Sequence, residues 1–117
     1  MPKPDDFLPL KPIELLILTM LGGGERHGYG IRQDIIDHTD GVLRPEAGNL
    51  YRSIRRLIDL GLVGESDRRP APDVDDERRR YYRITASGRS VVSAELARLR
   101  ALVRLGERQR LIPPEPA

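Results

Sequence analysis

Apolar residues recur at helical spacing between Leu8 and Leu21. The apolar residues that fall at helical spacings are Leu10, Ile13, Leu16, Ile17, Met20 and Leu21. Residues three and four apart share one face of a helix, so this pattern predicts a first amphipathic helix. Residues 22–24 are Gly-Gly-Gly and end it. The glycines do not form a G-x-G-x-x-G phosphate-binding motif, because position 27 is His, and we interpret them as an interhelical turn.

A second helix is predicted from Tyr29 to His38, with a narrow apolar stripe of three isoleucines and an Asp-Gly turn after it. His27 lies just before this helix. We interpret it as a turn residue or local cap, because no Ser or Cys partner for catalysis is near it in the sequence. His38 lies near the predicted helix C-terminus, where an imidazole interacts favourably with the helix dipole, and no function is assigned to it.

A third helix is predicted between Pro45 and Gly61, which suit a helix start and a glycine stop. At 100° per residue its apolar side chains gather on one side. The opposite side holds polar residues, namely Asn49, Arg52, Ser53 and Arg56, with Arg55 on the flank. A solvated helix usually interleaves acids with its arginines, and here no acid lies at the centre of the basic face. This face is therefore expected to bind a polyanion.

Two short strands follow, at 62–66 and 80–84, because Tyr and Ile favour a half-buried pleat. They predict a β-hairpin with a long polar tip, in which four acids lie between Asp73 and Glu77.

The last predicted helix begins at Thr85 or Ser87 and continues to Arg108. Its broad apolar stripe includes Val92, Leu96, Leu99 and Val103. Two interpretations stay open for this stripe, which are packing on the chain's own core and pairing with a second copy across a two-fold axis. We predict the dimer. The proline-rich tail at 111–117 cannot continue the helix and is expected to fray.

Composition excludes several classes of protein. The 117 residues suit one domain and include no cysteine and two histidines, which leaves no disulfide scaffold, no thiolate zinc site and no expected metal or cofactor. The longest apolar stretch, about 15–21, is far shorter than a membrane span, and the early Asp5 and Asp6 do not suit a signal peptide. We therefore expect a cytoplasmic protein. No carboxylate pairs with His or a hydroxyl in a catalytic arrangement, so we do not expect an enzyme.

The net charge is only +2, from 20 basic and 18 acidic residues, but the charges are segregated. Residues 44–56 hold four Arg against one Glu, 78–89 hold five Arg and no acid, and 98–110 hold five Arg against one Glu. A small net charge can therefore coexist with basic faces of the kind that nucleic acids select.

The predicted element order is that of a winged helix-turn-helix, so the fold is expected to be mainly α with a small β-hairpin and a C-terminal dimerisation helix. In that arrangement the third helix enters the DNA major groove. Arg52 and Arg56 are one turn apart and are expected to reach bases or phosphates, and Asn49 is suited to adenine. Five further arginines are expected to hold phosphates, namely Arg44, Arg55, Arg78, Arg79 and Arg80.

Three stretches resemble the PadR family of bacterial transcription regulators. The first includes Leu-Leu-Ile-Leu at 15–18 and His-Gly-Tyr-Gly-Ile at 27–31, the second runs from Gly-Asn-Leu-Tyr at 48–51 to Gly-Leu-Val at 61–63, and the third is Arg-Tyr-Tyr-Arg-Ile-Thr at 80–85 with Gly-Arg at 88–89. All three stretches occur in the order of the family and at suitable spacing, over about residues 10–100.

The resemblance implies a homodimer that binds double-stranded DNA at a pseudo-palindromic operator, commonly as a repressor of its own or a neighbouring promoter. It also implies that Tyr51 and position 49 lie close to the DNA backbone. Position 49 is usually a small hydroxyl residue in the family and is Asn here, and the acidic wing tip also departs from a usually short and basic one. The chain resembles the shorter branch of the family, and any small-molecule effector is unknown.

Residues 8–84 are thus expected to form the DNA-binding domain, 85–110 the dimerisation helix and 111–117 the tail. The alternative is a winged-helix module that binds a protein partner and has lost DNA binding. The acidic wing tip favours that alternative, whereas the basic face of Asn49, Arg52 and Arg56 argues against it.

Overall fold

The computed structural model describes residues 2–66 and 80–116. A short 3-10 helix, Pro4–Phe7, comes first. Within the described ranges the other elements follow in the order α1 (Pro12–Leu21), β1 (Arg26–His27), α2 (Gly28–His38), α3 (Ala47–Asp59), β2 (Val63–Glu65), β3 (Tyr81–Ile84) and α4 (Ala86–Arg108). The fold is mainly helical with a small antiparallel sheet, as the sequence predicted.

The helix α1 starts at Pro12, later than the apolar pattern predicts. A residue that precedes proline avoids the α-helical region. Leu8 and Lys11 both precede a proline, and their ψ angles of 148° and 146° are extended. The segment 8–11 is therefore not helical, and α1 begins at a proline, where the missing N–H has no intrahelical partner to lose.

The end of α3 is set by Gly61, which has a φ of +77°. The N–H of Leu62 donates to the carbonyl of Leu57 at 2.9 Å, and the N–H of Gly61 donates to the carbonyl three residues before it at 3.0 Å. These two bonds form a Schellman motif, so the glycine stop predicted from the sequence is confirmed. At the other end α3 begins at Ala47, and Pro45 lies before the helix instead of in its first turn.

The strand β3 lies in the centre of the sheet and pairs antiparallel with β2 and with β1. The pairing of Val63 with Ile84 belongs to the predicted hairpin. The strand β1 was not predicted, because two residues are too few to show an alternating pattern. They lie opposite Tyr82 and Tyr81 and join the turn after α1 to the hairpin. The acidic segment Asp73 to Glu77 lies outside the described residues.

One apolar core lies where the helices meet the sheet. Its buried members are Ile17, Leu18, Leu21, Ile31, Ile35, Leu50, Ile54, Leu57, Leu62, Val63, Tyr82, Val91 and Val92. Val92, which the sequence assigned to a dimer interface, is therefore part of this core and only 9% exposed. The reason is that the first turns of α4 pack over the core, so the apolar stripe of α4 is divided into a buried start and an exposed continuation.

The start of α4 approaches the backbone that precedes β2. A Cβ on Gly88 would lie 2.1 Å from the carbonyl oxygen of Leu62, so only glycine allows this approach. Thr85 caps the helix, since its Oγ1 accepts from the N–H of Gly88 at 3.0 Å and donates to the carbonyl of Gly61 at 2.7 Å. These contacts fix the direction in which α4 leaves the sheet.

Two carboxylates are buried beside the start of α1, Glu14 at 2% and Glu95 at 1% exposed. Glu14 Oε1 accepts from the N–H of Lys11 at 3.1 Å, and Glu95 Oε2 accepts from the N–H of Leu10 at 2.8 Å. Each carboxylate also binds an arginine. The backbone N–H groups of Leu10 and Lys11, which are neighbours in the chain, thus donate to carboxylates of two different helices.

Candidate nucleic-acid interface

The helix α3 buries its apolar side and exposes a polar one. Its buried residues are Leu50, Ile54 and Leu57. Asn49 and Arg52 are both exposed and lie side by side, since residues three apart are neighbours on a helix. Arg52 Nη1 lies 3.2 Å from where a Cβ on Gly48 would be, so the guanidinium extends over the start of the helix. Ser53 is half-buried at the edge of the same surface.

Arg56, which the sequence places on a basic face without an acid at its centre, is ion-paired. Its Nη1 donates to Oε2 of Glu14 on α1. The Arg56 side chain is 51% exposed, whereas that of Glu14 is 3% exposed. The partner of Arg56 is thus an acid of another helix and not of α3 itself, and the pair joins α3 to α1 along the edge of the interface.

Tyr51 lies against the start of α2. A Cβ on Gly28 would be 2.4 Å from Cε1 and 2.8 Å from the hydroxyl of Tyr51, so a side chain at position 28 and this ring position exclude each other. The glycine of the His-Gly-Tyr motif is thus explained by close packing between α2 and α3. The packing also places the Tyr51 ring where the surface of α3 meets the first residue of α2.

His27 is a helix cap, as one of the two interpretations from sequence proposed. Its Nδ1 accepts from the N–H of Gly30 at 2.9 Å. The ring also meets the ring of Tyr81 edge-on at 5.5 Å between centroids, and lies 6.4 Å from that of Tyr29. His27 therefore orients α2 relative to β3, and Tyr29, 58% exposed, extends the aromatic cluster to the surface.

The loop before α3 carries Arg44. Arg44 is exposed, and its guanidinium covers Gly41, whose φ is +76°. Arg32 of α2 fixes the loop, because its Nε donates to the carbonyl of Pro45 at 2.8 Å. The loop thus holds a cation next to the start of α3.

Arg55 and Arg80 line one groove of about 230 Å³ between α3 and the sheet. Arg80 Nη1 lies 3.4 Å from Oε1 of Glu65 in an exposed pair. Such a pair contributes little stability, so it does not prevent Arg80 from binding another anion. Arg78 and Arg79 lie outside the described residues. The groove brings the flank of α3 and the base of the hairpin together.

The second half of α4 presents an exposed apolar surface. Leu96 is 43% and Val103 is 50% exposed, and Leu99 between them is half-buried. Leu102 and Leu105, in the same part of α4, are 54% and 39% exposed. Of the predicted interface residues, the structure therefore leaves three on the surface and places only Val92 in the core.

Sequence reasoning missed Glu14, although a signal was present. In α1 Glu14 stands three and four residues before the apolar Ile17 and Leu18, so it shares their buried face. A carboxylate on a buried face requires a partner, and a search for a cation on a neighbouring element would have led to the arginines of α3.

Neither a membrane span nor a metal cluster is found in the part of the chain that the structure describes. Over 2–66 and 80–116, no helix has the length and apolar character needed to cross a bilayer. The same ranges hold no group of three or more His, Cys, Asp or Glu side chains suited to a metal ion.

Solved structures show the same fold. A transcriptional regulator from Clostridium thermocellum aligns with a TM-score of 0.68 at 24% identity, covering 82% of this chain and 87% of that one. A PadR family regulator from Clostridium difficile R20291 aligns with a TM-score of 0.70 at 20% identity, covering 87% of this chain and all of that one.

Bacillus subtilis PadR, solved in complex with operator DNA, aligns with a TM-score of 0.64 at 20% identity. The alignment covers 74% of this chain and 47% of that one.

Comparison at the level of sequence gives the family. A search of curated proteins found no match. The profile of the transcriptional regulator PadR-like family, however, matches residues 17–94, which is more than half of the chain and includes α2, α3, the hairpin and the start of α4. That family consists of transcriptional regulators and not of enzymes, as the sequence predicted. The chain belongs to the PadR-like family of transcriptional regulators.

Proposed function

We propose that this regulator binds DNA sequence-specifically, as a cytoplasmic homodimeric repressor of its own or a neighbouring promoter. The observation that carries the proposal is the exposed surface of α3. Asn49 and Arg52 stand together on its solvent side, while the opposite side is buried in the core. Bacillus subtilis PadR, which shares the fold, was solved in complex with operator DNA, and this supports DNA as the ligand.

Base contacts are assigned to Arg52 and Asn49. A guanidinium can donate two parallel hydrogen bonds to O6 and N7 of guanine, and an amide can pair with N6 and N7 of adenine. Ser53, at the edge of the surface, adds a hydroxyl that both donates and accepts.

Phosphate contacts are assigned to the cations and the phenol around α3. Arg44 lies before the helix, and Arg55 with Arg80 lies on the flank that faces the hairpin. Tyr51, at the α2 end, is assigned to the backbone as well. Arg78 and Arg79 are included from the sequence. Phosphate contacts fix the register of a protein on DNA without reading the bases.

The exposed part of the α4 stripe is assigned to the second subunit. Leu96, Leu99 and Val103 form this surface, whereas Val92 supports it from the core. Dimerisation across a two-fold axis would place two α3 helices about one helical turn of DNA apart, roughly 34 Å, which matches a pseudo-palindromic operator.

Fluorescence anisotropy on the DNA upstream of the protein's own gene tests the proposal, with a scrambled duplex and a salt series. We expect sequence-dependent binding whose log–log salt slope is about −0.9 per phosphate contact. Equal, weak binding to both duplexes would contradict a specific site in that DNA. No binding even at low salt would favour the protein-partner module, for which the acidic segment Asp73 to Glu77 is the supporting feature.

A further inference from the structure

The ion pair of Glu14 and Arg56 lies where the DNA surface of α3 meets α1. Arg56 follows Arg52 by four residues, so it is one helical turn further along α3. Its guanidinium binds Oε2 of Glu14, and the other oxygen of that carboxylate is held by the N–H of Lys11 at 3.1 Å. Both oxygens of Glu14 thus have partners, and the carboxylate is fixed in place.

Glu14 competes with DNA for Arg56. The Arg56 side chain is 51% exposed and lies on α3 one turn beyond Arg52, whereas the Glu14 side chain is only 3% exposed. Moving Arg56 from Glu14 to a phosphate would leave a buried carboxylate without its cation, which is strongly unfavourable. Arg52 has no such buried partner among the ion pairs of the described residues. Arg56 is therefore less available to phosphates than its position on the helix suggests.

We propose that Glu14 lowers the sequence-independent part of DNA affinity by holding Arg56 away from the phosphates. The proposal rests on the proposed DNA-binding function. Non-specific binding comes essentially from phosphate neutralisation, whereas operator binding also includes base contacts. A carboxylate that withholds one cation therefore weakens binding to any DNA but leaves the base contacts of Arg52 and Asn49 intact.

The variant Glu14→Gln tests the proposal directly, because Gln keeps an oxygen for the N–H of Lys11 and loses the charge that holds Arg56. We expect the log–log salt slope on a scrambled duplex to steepen by about 0.9, which is one more phosphate contact, and the affinity at 0.1 M salt to rise by up to about eightfold. The matched control is Asp59→Asn, an exposed carboxyl in the last turn of α3. It changes the net charge equally without removing the partner of Arg56, so its slope is expected to stay at the wild-type value.

A double-mutant cycle with Arg56→Gln shows whether the gain comes from Arg56. We expect Arg56→Gln to lower scrambled-DNA affinity by about eightfold in the Glu14→Gln background and by less than twofold in the wild-type background. Equal effects in the two backgrounds would overturn the proposal. So would an unchanged salt slope in folded Glu14→Gln.

Circular dichroism first shows whether Glu14→Gln and Arg56→Gln are folded, because Arg56→Gln leaves the buried carboxylate of Glu14 without its cation. If only Arg56→Gln is folded, its salt slope in the wild-type background decides alone, because a slope reduced by about 0.9 would mean that Arg56 already binds phosphate. An unchanged slope would support the restraint by Glu14. Failure of the wild type to bind either duplex would overturn the DNA-binding function itself, whereas wild-type binding without coupling would overturn only the role of Glu14.

Discussion

Glu14 and Glu95 each hold a backbone N–H and an arginine from inside the protein. Burial of a charged group is unfavourable unless its hydrogen bonds and its charge are satisfied. No buried side-chain nitrogen or oxygen in the described residues lacks a partner, so both carboxylates meet that condition. Through Leu10 and Lys11 they also connect α4 to α1 and α3, and the segment that precedes α1 is thereby part of the folded unit.

Glu95 predicts a pH dependence of stability. The hydrogen bond from Arg98 is the main reason that the pKa of Glu95 lies below its usual value of 4.5, with the N–H of Leu10 acting in the same direction and burial opposing them. A carboxyl whose folded pKa is lowered stabilises the fold above its unfolded pKa and loses that contribution as pH falls through the folded value. We expect the free energy of unfolding to decrease as pH drops below about 4.5 and to decrease less in Glu95→Gln.

Urea denaturation between pH 7 and pH 3 measures this effect. At pH 7 Glu95→Gln is expected to be less stable by about 1–3 kcal/mol, since a hydrogen bond to a charged group is lost. Asp37→Asn on the exposed side of α2 is the control, because its carboxyl is not buried. Parallel pH curves for Glu95→Gln and the wild type would contradict the assignment.

Gly28 predicts a steric effect on the position of Tyr51. The Cβ of Gly28→Ala would overlap Cε1 of Tyr51 at 2.4 Å, so the ring must move, and overpacking of this kind typically costs about 1–3 kcal/mol. Gly23→Ala is the matched control, because a Cβ there finds its nearest neighbours, Arg26 Nη2 and Met20 O, at 3.6 Å. Thermal unfolding of both variants compares them, and equal melting temperatures would contradict the packing argument.

At the scale of elements, local chemistry predicted the helices well, and each difference has a physical reason. Gly61 and the residues before it fixed the end of α3, and the N-cap Thr85 fixed the start of α4 at Ala86. The apolar periodicity predicted that α1 starts at Leu8, too early, because periodicity takes no account of the restriction that proline imposes on the preceding residue. The strand β1 forms only through its pairing with β3, a long-range contact that two residues cannot indicate.

For the candidate site, helical geometry predicted which residues of α3 face the solvent, but not what they touch. Asn49 and Arg52 are exposed as expected, whereas Arg56 is bound by a carboxylate 42 positions earlier in the sequence. Likewise the stripe of α4 is continuous in sequence, and only the packed structure shows that Val92 is inside and Val103 outside. Periodicity gives the face of one element, and the partner of that face depends on the tertiary fold.

The surface of α3 predicts that Arg52 reads a base. Replacing Arg52 by Ala is expected to weaken binding to the upstream DNA by about 1–3 kcal/mol and to reduce discrimination against the scrambled duplex. Arg104→Ala on α4 is the control, since it removes the same charge from an exposed position on another element. Anisotropy titrations on both duplexes measure the difference. A uniform loss on both would place Arg52 among the phosphate contacts instead.

The whole molecule combines a basic α3 surface with a separate apolar surface on the second half of α4. The leucines and valines of that second surface are exposed in the single chain. Exposed apolar patches of this kind usually mark an interaction site. A second copy that covers them would set the distance between two α3 helices. Association and operator binding are therefore expected to be lost together.

Val103→Glu tests this coupling. Val103 is 50% exposed in the single chain, so a charge there should not disturb the core, but it would be buried without a partner in the proposed dimer. We expect a monomer by multi-angle light scattering, together with weaker binding to the upstream DNA and an unchanged circular dichroism spectrum. Ala101→Glu is the matched control, because two residues earlier on α4 an exposed side chain points about 200° away around the helix. A Val103→Glu protein that remains dimeric would exclude Val103 from the interface, and a monomer that binds the DNA as tightly as the wild type would separate dimerisation from operator recognition.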